Sequence, residues 1–453
     1  MNGTSTAAPG VINAPATSEP QADQPTGKSV SKPLGKAVLG VTLGNMVEWF
    51  DFALYSSMAV LIGDIFFHSE SRTTQLIAIY ATFAAGFLMR PLGSLVFGPI
   101  GDRFGRRASL TLSIALMAVA TFCIALIPSY ESIGILAPVL LVAMRMLQGL
   151  STGGEYGGSV IFIAEHAPDK SRSFLTSWLE VGILSGFLLG GAVVSVLMLG
   201  LGEETMRAWG WRVPFVIGGL LGMIALYLRL NLEETPIFKE MQENERKQMA
   251  NKRGLTSMLV EQWPQLVKSI GLVAIYNVCY YVVLGYIPGY LTNELGYSAS
   301  FGRTLGMIGT LCMLVLVPFS GLLADRVGRK RLIVFGCILL IAFAIPAFKM
   351  LQTHNTTLVY SAVLGLLVAQ LIFEGAMGAT LVSLFKAPVR FSALALSYNL
   401  SVSLFGGTAP LINTWLIGRI GDTMIPAYYL MAAAVVGLIA ILMVEDRTGR
   451  PMP

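Results

Sequence analysis

Long apolar runs alternate with short polar breaks twelve times along the chain. Each run approaches the ~20 mostly apolar residues that a helix needs to cross a hydrocarbon layer. The pattern predicts spans over 36–63, 74–98, 108–127, 133–164, 173–200 and 212–231. A second set follows over 266–291, 303–324, 331–351, 357–385, 391–419 and 425–444. Between the sets lies NLEETPIFKEMQENERKQMANKRG, beginning at Asn231, a charged and helix-prone stretch. The expected organisation is therefore a six-helix bundle over 36–231, a linker over 232–264, a second six-helix bundle over 265–445 and a short tail over 446–453. Residues 1–35 are rich in Ser, Thr, Pro, Ala and Gly and hold no apolar run long enough for a signal-peptide core. They read as a disordered cytoplasmic tail.

Composition sharpens this picture. Of 453 residues, 54% are hydrophobic and only 13% charged, where a soluble domain carries about a quarter. Mean hydropathy is +0.68. Most of the surface is expected to face lipid, which gives an all-α membrane protein. The net charge of +5 is spread over small clusters beside the spans, a placement that marks a membrane side rather than a nucleic-acid site. One set of loops holds Arg103, Arg106, Arg107, Lys170, Arg172, Arg246, Lys247, Lys252, Arg253, Arg326, Arg329, Lys330, Arg331 and Arg390. The alternate loops hold chiefly Arg72, Arg207 and Arg303. The positive-inside rule puts the richer set, and with it both termini, in the cytoplasm.

Cys123, Cys279, Cys312 and Cys337 lie in apolar runs, and His68, His166 and His354 are scattered between spans. No metal site, disulfide framework or cofactor is expected from that arrangement. Gly153, Gly154, Gly157 and Gly158 bracket Glu155 and Tyr156, but no GK[ST] ending follows. Close helix contact explains them better than a nucleotide loop. No catalytic triad is present, so an enzyme is not expected.

The two halves repeat a motif. GPIGDRFGRR begins at Gly98 and GLLADRVGRK at Gly321, each after the second span of its half. Arg172 precedes the fifth span and Arg390 the eleventh, a second matched pair. Six-span units repeated in parallel are the plan of a major-facilitator transporter. Gly98, Gly105, Gly321 and Gly328 suit tight turns and close helix approach. Asp102 and Asp325 are placed to meet an arginine or a helix N-terminus of the opposite bundle. With Arg103, Arg106, Arg107, Arg326 and Arg329, and with Arg172 and Arg390, they form the candidate cytoplasmic gate.

Charges also occur inside the spans, where an acidic residue costs about 2.5–3.5 kcal/mol and normally faces a bundle interior or wet cavity. Asn45, Glu48 and Asp51 recur every three residues and, with Phe52 and Tyr55, make one broad helical face. That face is expected to line a central cavity. Glu48, Asp51 and Glu155 are the candidate proton-coupling groups, with Arg145 as a charge partner. A carboxylate in a low-dielectric pocket takes up a proton more readily than one in water. The candidate solute-binding residues are Asn45, Trp49, Tyr55, Arg90, Arg145, Tyr156, Glu180, Tyr280, Tyr281 and Glu374. Arg90 or Arg145 would face a carboxylate, and the aromatic faces would attract an ammonium, worth about 0.5–2 kcal/mol. Trp209 and Trp211, at a loop-to-span junction, read as interfacial-belt residues.

GNMVEWFDFALY, FLMRPLGSLVFG, RMLQGLSTGGEYGG, AEHAPDKSRSFLTSWLE, WGWRVPF and LEETPIF resemble the metabolite:proton symporter branch of the major facilitator superfamily. NVCYYVVLGYIPGYL from Asn277 and PAYYLMAAAVVGLI from Pro426 are most similar to that branch's carriers of proline and betaine. Two departures stand out. The sequence ends at DRTGRPMP without the long coiled-coil extension that osmosensing carriers often have, and SLFKAPVR replaces the usual Glu-Leu-Phe-Pro before the span-eleven arginine. The resemblance implies two six-helix bundles and a monomeric inner-membrane symporter. Its partners would be protons, the lipid bilayer and a small organic solute, first a zwitterion such as proline or glycine betaine. A permease for a di- or tricarboxylate such as 2-oxoglutarate or citrate is the alternative within the branch. A drug efflux antiporter or a non-transporting membrane receptor is the alternative outside it.

Overall fold

The computed structural model describes residue 3 and residues 32–67, 72–247 and 260–453. Residues 4–31 of the expected tail and 248–259 of the linker, with His68, Lys252 and Arg253, lie outside the described residues. The first helix begins at Lys32, inside the stretch read as tail.

Among the described residues, twelve helices are long and apolar enough to span a membrane. They are α1 (Leu34–Ser57), α2 (Ala81–Arg103), α3 (Arg106–Leu126), α4 (Leu136–His166), α5 (Asp169–Gly210), α6 (Arg212–Leu230), α7 (Trp263–Asn293), α8 (Ser300–Val327), α9 (Arg329–Leu351), α10 (Thr356–Val382), α11 (Ala387–Ile420) and α12 (Ile425–Leu442). All described secondary structure is helical. The protein is a multi-pass membrane protein with two six-helix bundles. Side chains close the exposed starts of some helices: Asn355 Oδ1 accepts from Thr357 N and Leu358 N ahead of α10. In the second half, α7 widens into a π-helical turn over Tyr281–Tyr286 and α11 over Val402–Gly406. Such turns disturb the regular ladder and often mark functional positions.

Glycine lets helices approach closely. A Cβ on Gly153 of α4 would strike the Arg90 carbonyl of α2, and one on Gly149 would strike Gly86. The glycines around Glu155 are thus contact residues. Across the bundles, α2 packs on α11 and α5 on α8. The largest buried apolar cluster runs from the second bundle into α4 and α5 of the first. Trp211 differs from its expected belt position: it is fully buried and packs edge-on against Phe66 and Phe215. Trp209 beside it is exposed.

Candidate functional site

The repeated motif builds two matching latches at the end of the molecule that carries the arginine-rich loops. Asp102, at the close of α2, accepts hydrogen bonds from Phe391 N (3.1 Å) and Ser392 N (2.9 Å) at the start of α11. Asp325, at the close of α8, accepts from Ser173 N (3.0 Å) and Phe174 N (2.9 Å) at the start of α5. In each latch a carboxylate from one bundle meets the positive end of a helix from the other. The motif's first glycine makes room for this: a Cβ on Gly98 would lie 2.8 Å from Ser392 Cα, and one on Gly321 would lie 2.9 Å from Phe174 Cα. The second glycine turns the chain with φ of 108° at Gly105 and 109° at Gly328, a region that a side chain disfavours.

The motif arginines divide into two roles. Arg103 and Arg326 are exposed. Arg106 is buried, bonded to Gly101 O (3.0 Å) and Ala387 O (2.7 Å), and paired with Glu165 (3.3 Å). Arg390 donates to the other oxygen of Glu165 at 2.8 Å. Glu165 therefore ties α3 to α11, and Thr235 Oγ1 caps it at 2.5 Å. In the matching latch, Arg329 donates to Ser173 Oγ at 2.9 Å. Arg172 donates to Ala164 O at 3.1 Å. Arg107 donates to Leu230 O, while Glu234 accepts from the Arg106 and Arg107 amides, capping α3. The divergent SLFKAPVR loop keeps its place here through the Ala387 carbonyl. Lys386 is exposed and pairs loosely with Glu261 at 3.9 Å.

The polar face of α1 turns into the first bundle rather than toward the second. Asn45 Nδ2 donates to Leu179 O of α5 at 3.2 Å. Asp51 pairs with Arg145 of α4 at 2.8 Å and accepts from Thr121 (3.0 Å) and Gln148 (2.9 Å). The Arg145 guanidinium lies 3.8 Å over the Tyr55 ring, and Tyr55 donates to Ile79 O. Glu155 is clasped by both ends of the Arg229 guanidinium and accepts from Ser113 at 2.8 Å. Arg229, at the end of α6, was not among the sequence candidates. Glu48 meets Arg90 of α2 at 3.3 Å with one oxygen only, and Arg90 lies between the Phe52 and Phe87 rings.

A second group of candidates meets between the bundles. Trp49 of α1 touches Tyr280 of α7 with ring centroids 5.9 Å apart, and Tyr280 abuts Tyr281. Tyr156 of α4 stacks on Tyr398 of α11 at 4.0 Å and donates to Glu180 of α5 at 3.1 Å. Tyr276 of α7 stands beside the same tyrosine and carboxylate. Glu374 of α10 accepts from Gln370 at 3.1 Å. Asn399 of α11 donates across the interface to Gly153 O at 2.7 Å. Tyr276, Tyr398 and Asn399 are additions to the sequence candidates. The structure thus separates the candidates into arginine-paired groups within the first bundle and an aromatic and acidic set between the bundles.

Comparison with known proteins agrees with this architecture. The Major Facilitator Superfamily profile matches residues 41–407 and 291–451. A proline/betaine transporter of Salmonella typhimurium is 43% identical over 425 residues, covering 92% of this chain and 85% of its own. A glycine betaine/proline/ectoine/pipecolic acid transporter of Dickeya dadantii is 42% identical over the same shares. Among solved structures, the proton:xylose symporter XylE bound to 6-bromo-6-deoxy-D-glucose superposes with a TM-score of 0.73 at 19% identity, covering 93% of this chain and 98% of its own. A partially occluded inward open form of XylE from E. coli gives 0.60 at 19% identity, covering 93% and 100%.

Proposed function

The chain belongs to the Major Facilitator Superfamily, and from that premise we propose that it imports a zwitterionic osmolyte or amino acid, such as proline or glycine betaine, together with a proton. It is a secondary active transporter, not an enzyme. On this reading it works as a monomer in the inner membrane, with both termini in the cytoplasm. The arginine-rich latch end is then the cytoplasmic gate, shut in this conformation, and the bundles rock about a midplane site to expose it to each side in turn.

The observation that carries this reading is the opposed charge at the bundle interface. Glu180 and Glu374 offer anionic groups among tyrosine rings, and Arg90, paired with Glu48 through a single 3.3 Å contact, is a cation whose field reaches that set at Tyr398. A zwitterion satisfies both poles. A di- or tricarboxylate would meet two carboxylates for one arginine, a juxtaposition that rejects it. The relatives' named solutes, proline and betaine, fit the same polarity. The coupling candidates from the sequence, Glu48, Asp51 and Glu155, are each compensated by an arginine: Arg90, Arg145 and Arg229. Solute-linked protonation suits a carboxylate whose charge is not already neutralised.

The test is uptake of labelled proline, glycine betaine, 2-oxoglutarate and citrate into proteoliposomes, with and without an inward proton gradient. Proline or glycine betaine should accumulate only with the gradient. Accumulation of the carboxylates alone, or uptake indifferent to the gradient, would contradict the reading.

A further inference from the structure

We propose that Glu180 and Glu374, one from each bundle, form a joint site that holds one organic ammonium and one proton together in the loaded carrier. This rests on the symporter reading above and assigns the coupled proton to the interface.

Glu180 is 3% exposed and Glu374 2%. Among the described residues, Glu374 has one oxygen held by Gln370 and one without a partner, and Glu180 is held only by the neutral hydroxyls of Tyr156 and Tyr276. Gln370, 1% exposed, leaves its own Oε1 unpartnered beside them. The helices that carry them, α5 and α10, pack against each other across the bundles. Among the described residues, every other carboxylate in the spanning helices that is this deeply buried has an arginine within 4 Å: Glu48, Asp51, Asp102, Glu155 and Glu165. This pair has none.

The groups facing it are neutral. Tyr156 comes from α4, Tyr276, Cys279 and Tyr280 from α7, and Tyr398 from α11. Arg90 is held by Glu48 at 3.3 Å, and its field reaches Tyr398. Two neighbouring anions in so dry a place cannot both persist uncompensated. Ring faces attract an ammonium, and its charge neutralises one carboxylate. The other is neutralised by an O–H bond formed with a proton from the open side, and that bond breaks again to water on the far side.

Because the carboxylates sit on opposite bundles, their repulsion resists closure when both are ionised. Closure is favoured when ammonium and proton are both present, which is the differential affinity that coupling requires. The ammonium alone or the proton alone leaves one of these two carboxylates uncompensated between the halves.

Two measurements test this. In Glu374→Gln and Glu180→Gln, gradient-driven accumulation of glycine betaine should fall at least tenfold, and should fall further than exchange of labelled for unlabelled glycine betaine across the membrane. The double variant should lose exchange as well. In the unaltered protein, a hydrophobic carbodiimide, which labels protonated buried carboxyls, should form its adduct on Glu180 or Glu374, and tetramethylammonium should protect against it. Accumulation retained in both single variants, or adducts confined to Glu48, Asp51 or Glu155, would overturn the proposal. If the unaltered protein shows no gradient-driven accumulation, the symporter reading itself fails, and that outcome is distinct.

Discussion

Arg229→Met is expected to destabilise the folded protein by about 3–5 kcal/mol, the usual consequence of removing one partner from a buried ion pair. Both ends of this guanidinium hold Glu155, and one also donates to Leu110 O at 2.8 Å. Without it, Glu155 keeps only serine donors in the middle of the first bundle. Replacing both partners, as Arg229→Met with Glu155→Met, should recover most of the loss, since no charge is then stranded. Gly44 belongs to the same unit: its missing side chain leaves the space that the Arg229 guanidinium fills. Gly44→Ala should therefore reproduce a smaller part of the effect without touching either charge. Thermal midpoints in detergent, followed by tryptophan fluorescence and size exclusion, measure all three. Equal midpoints for the single Arg229 variant and the parent would show that the pair carries no stability.

The second large effect concerns the gate. Asp102→Ala with Asp325→Ala removes four hydrogen bonds that join the bundles. Hydrogen bonds to charged groups contribute about 1.5–3 kcal/mol each, and 1.4 kcal/mol is a factor of ten in an equilibrium. Even one lost latch should shift the balance toward an open latch end by more than about tenfold. Ala395, one turn inside the gate on α11, is fully buried. A cysteine placed there, with the four native cysteines replaced, should react with an impermeant maleimide at least tenfold faster in the double variant when reagent is added on the latch side. An unchanged rate would mean that the aspartates do not hold this end shut.

The spans and latches could be read from the sequence because their physics is local or repeated. Hydrocarbon demands a long apolar helix wherever the chain crosses, so the breaks fall near the helix ends found. The Asp102 and Asp325 motifs occur twice with the same glycines, and that repetition singled them out before any contact was known. Side-chain partners were less accessible. Arg229 ends its span, where a flanking arginine needs no further explanation, so nothing marked it as the partner of Glu155. Periodicity placed Asn45, Glu48 and Asp51 on one face, but it carries no information on which neighbour that face meets. Packing decides, and α5, α3 and α4 receive it. Tyr276 and Tyr398 are two of 15 tyrosines, distinguished only once four helices converge. Trp211 looked interfacial from its position beside Trp209, and its burial depends on Phe66, distant in sequence.

The most direct test of the central claim is proton movement on addition of solute. Purified protein in proteoliposomes, with no imposed gradient and a pH probe inside, should acidify its lumen when glycine betaine is added outside. The response should vanish with a protonophore and fall at least tenfold in Glu374→Gln. Glycine betaine entry with no lumenal acidification would contradict proton-coupled import.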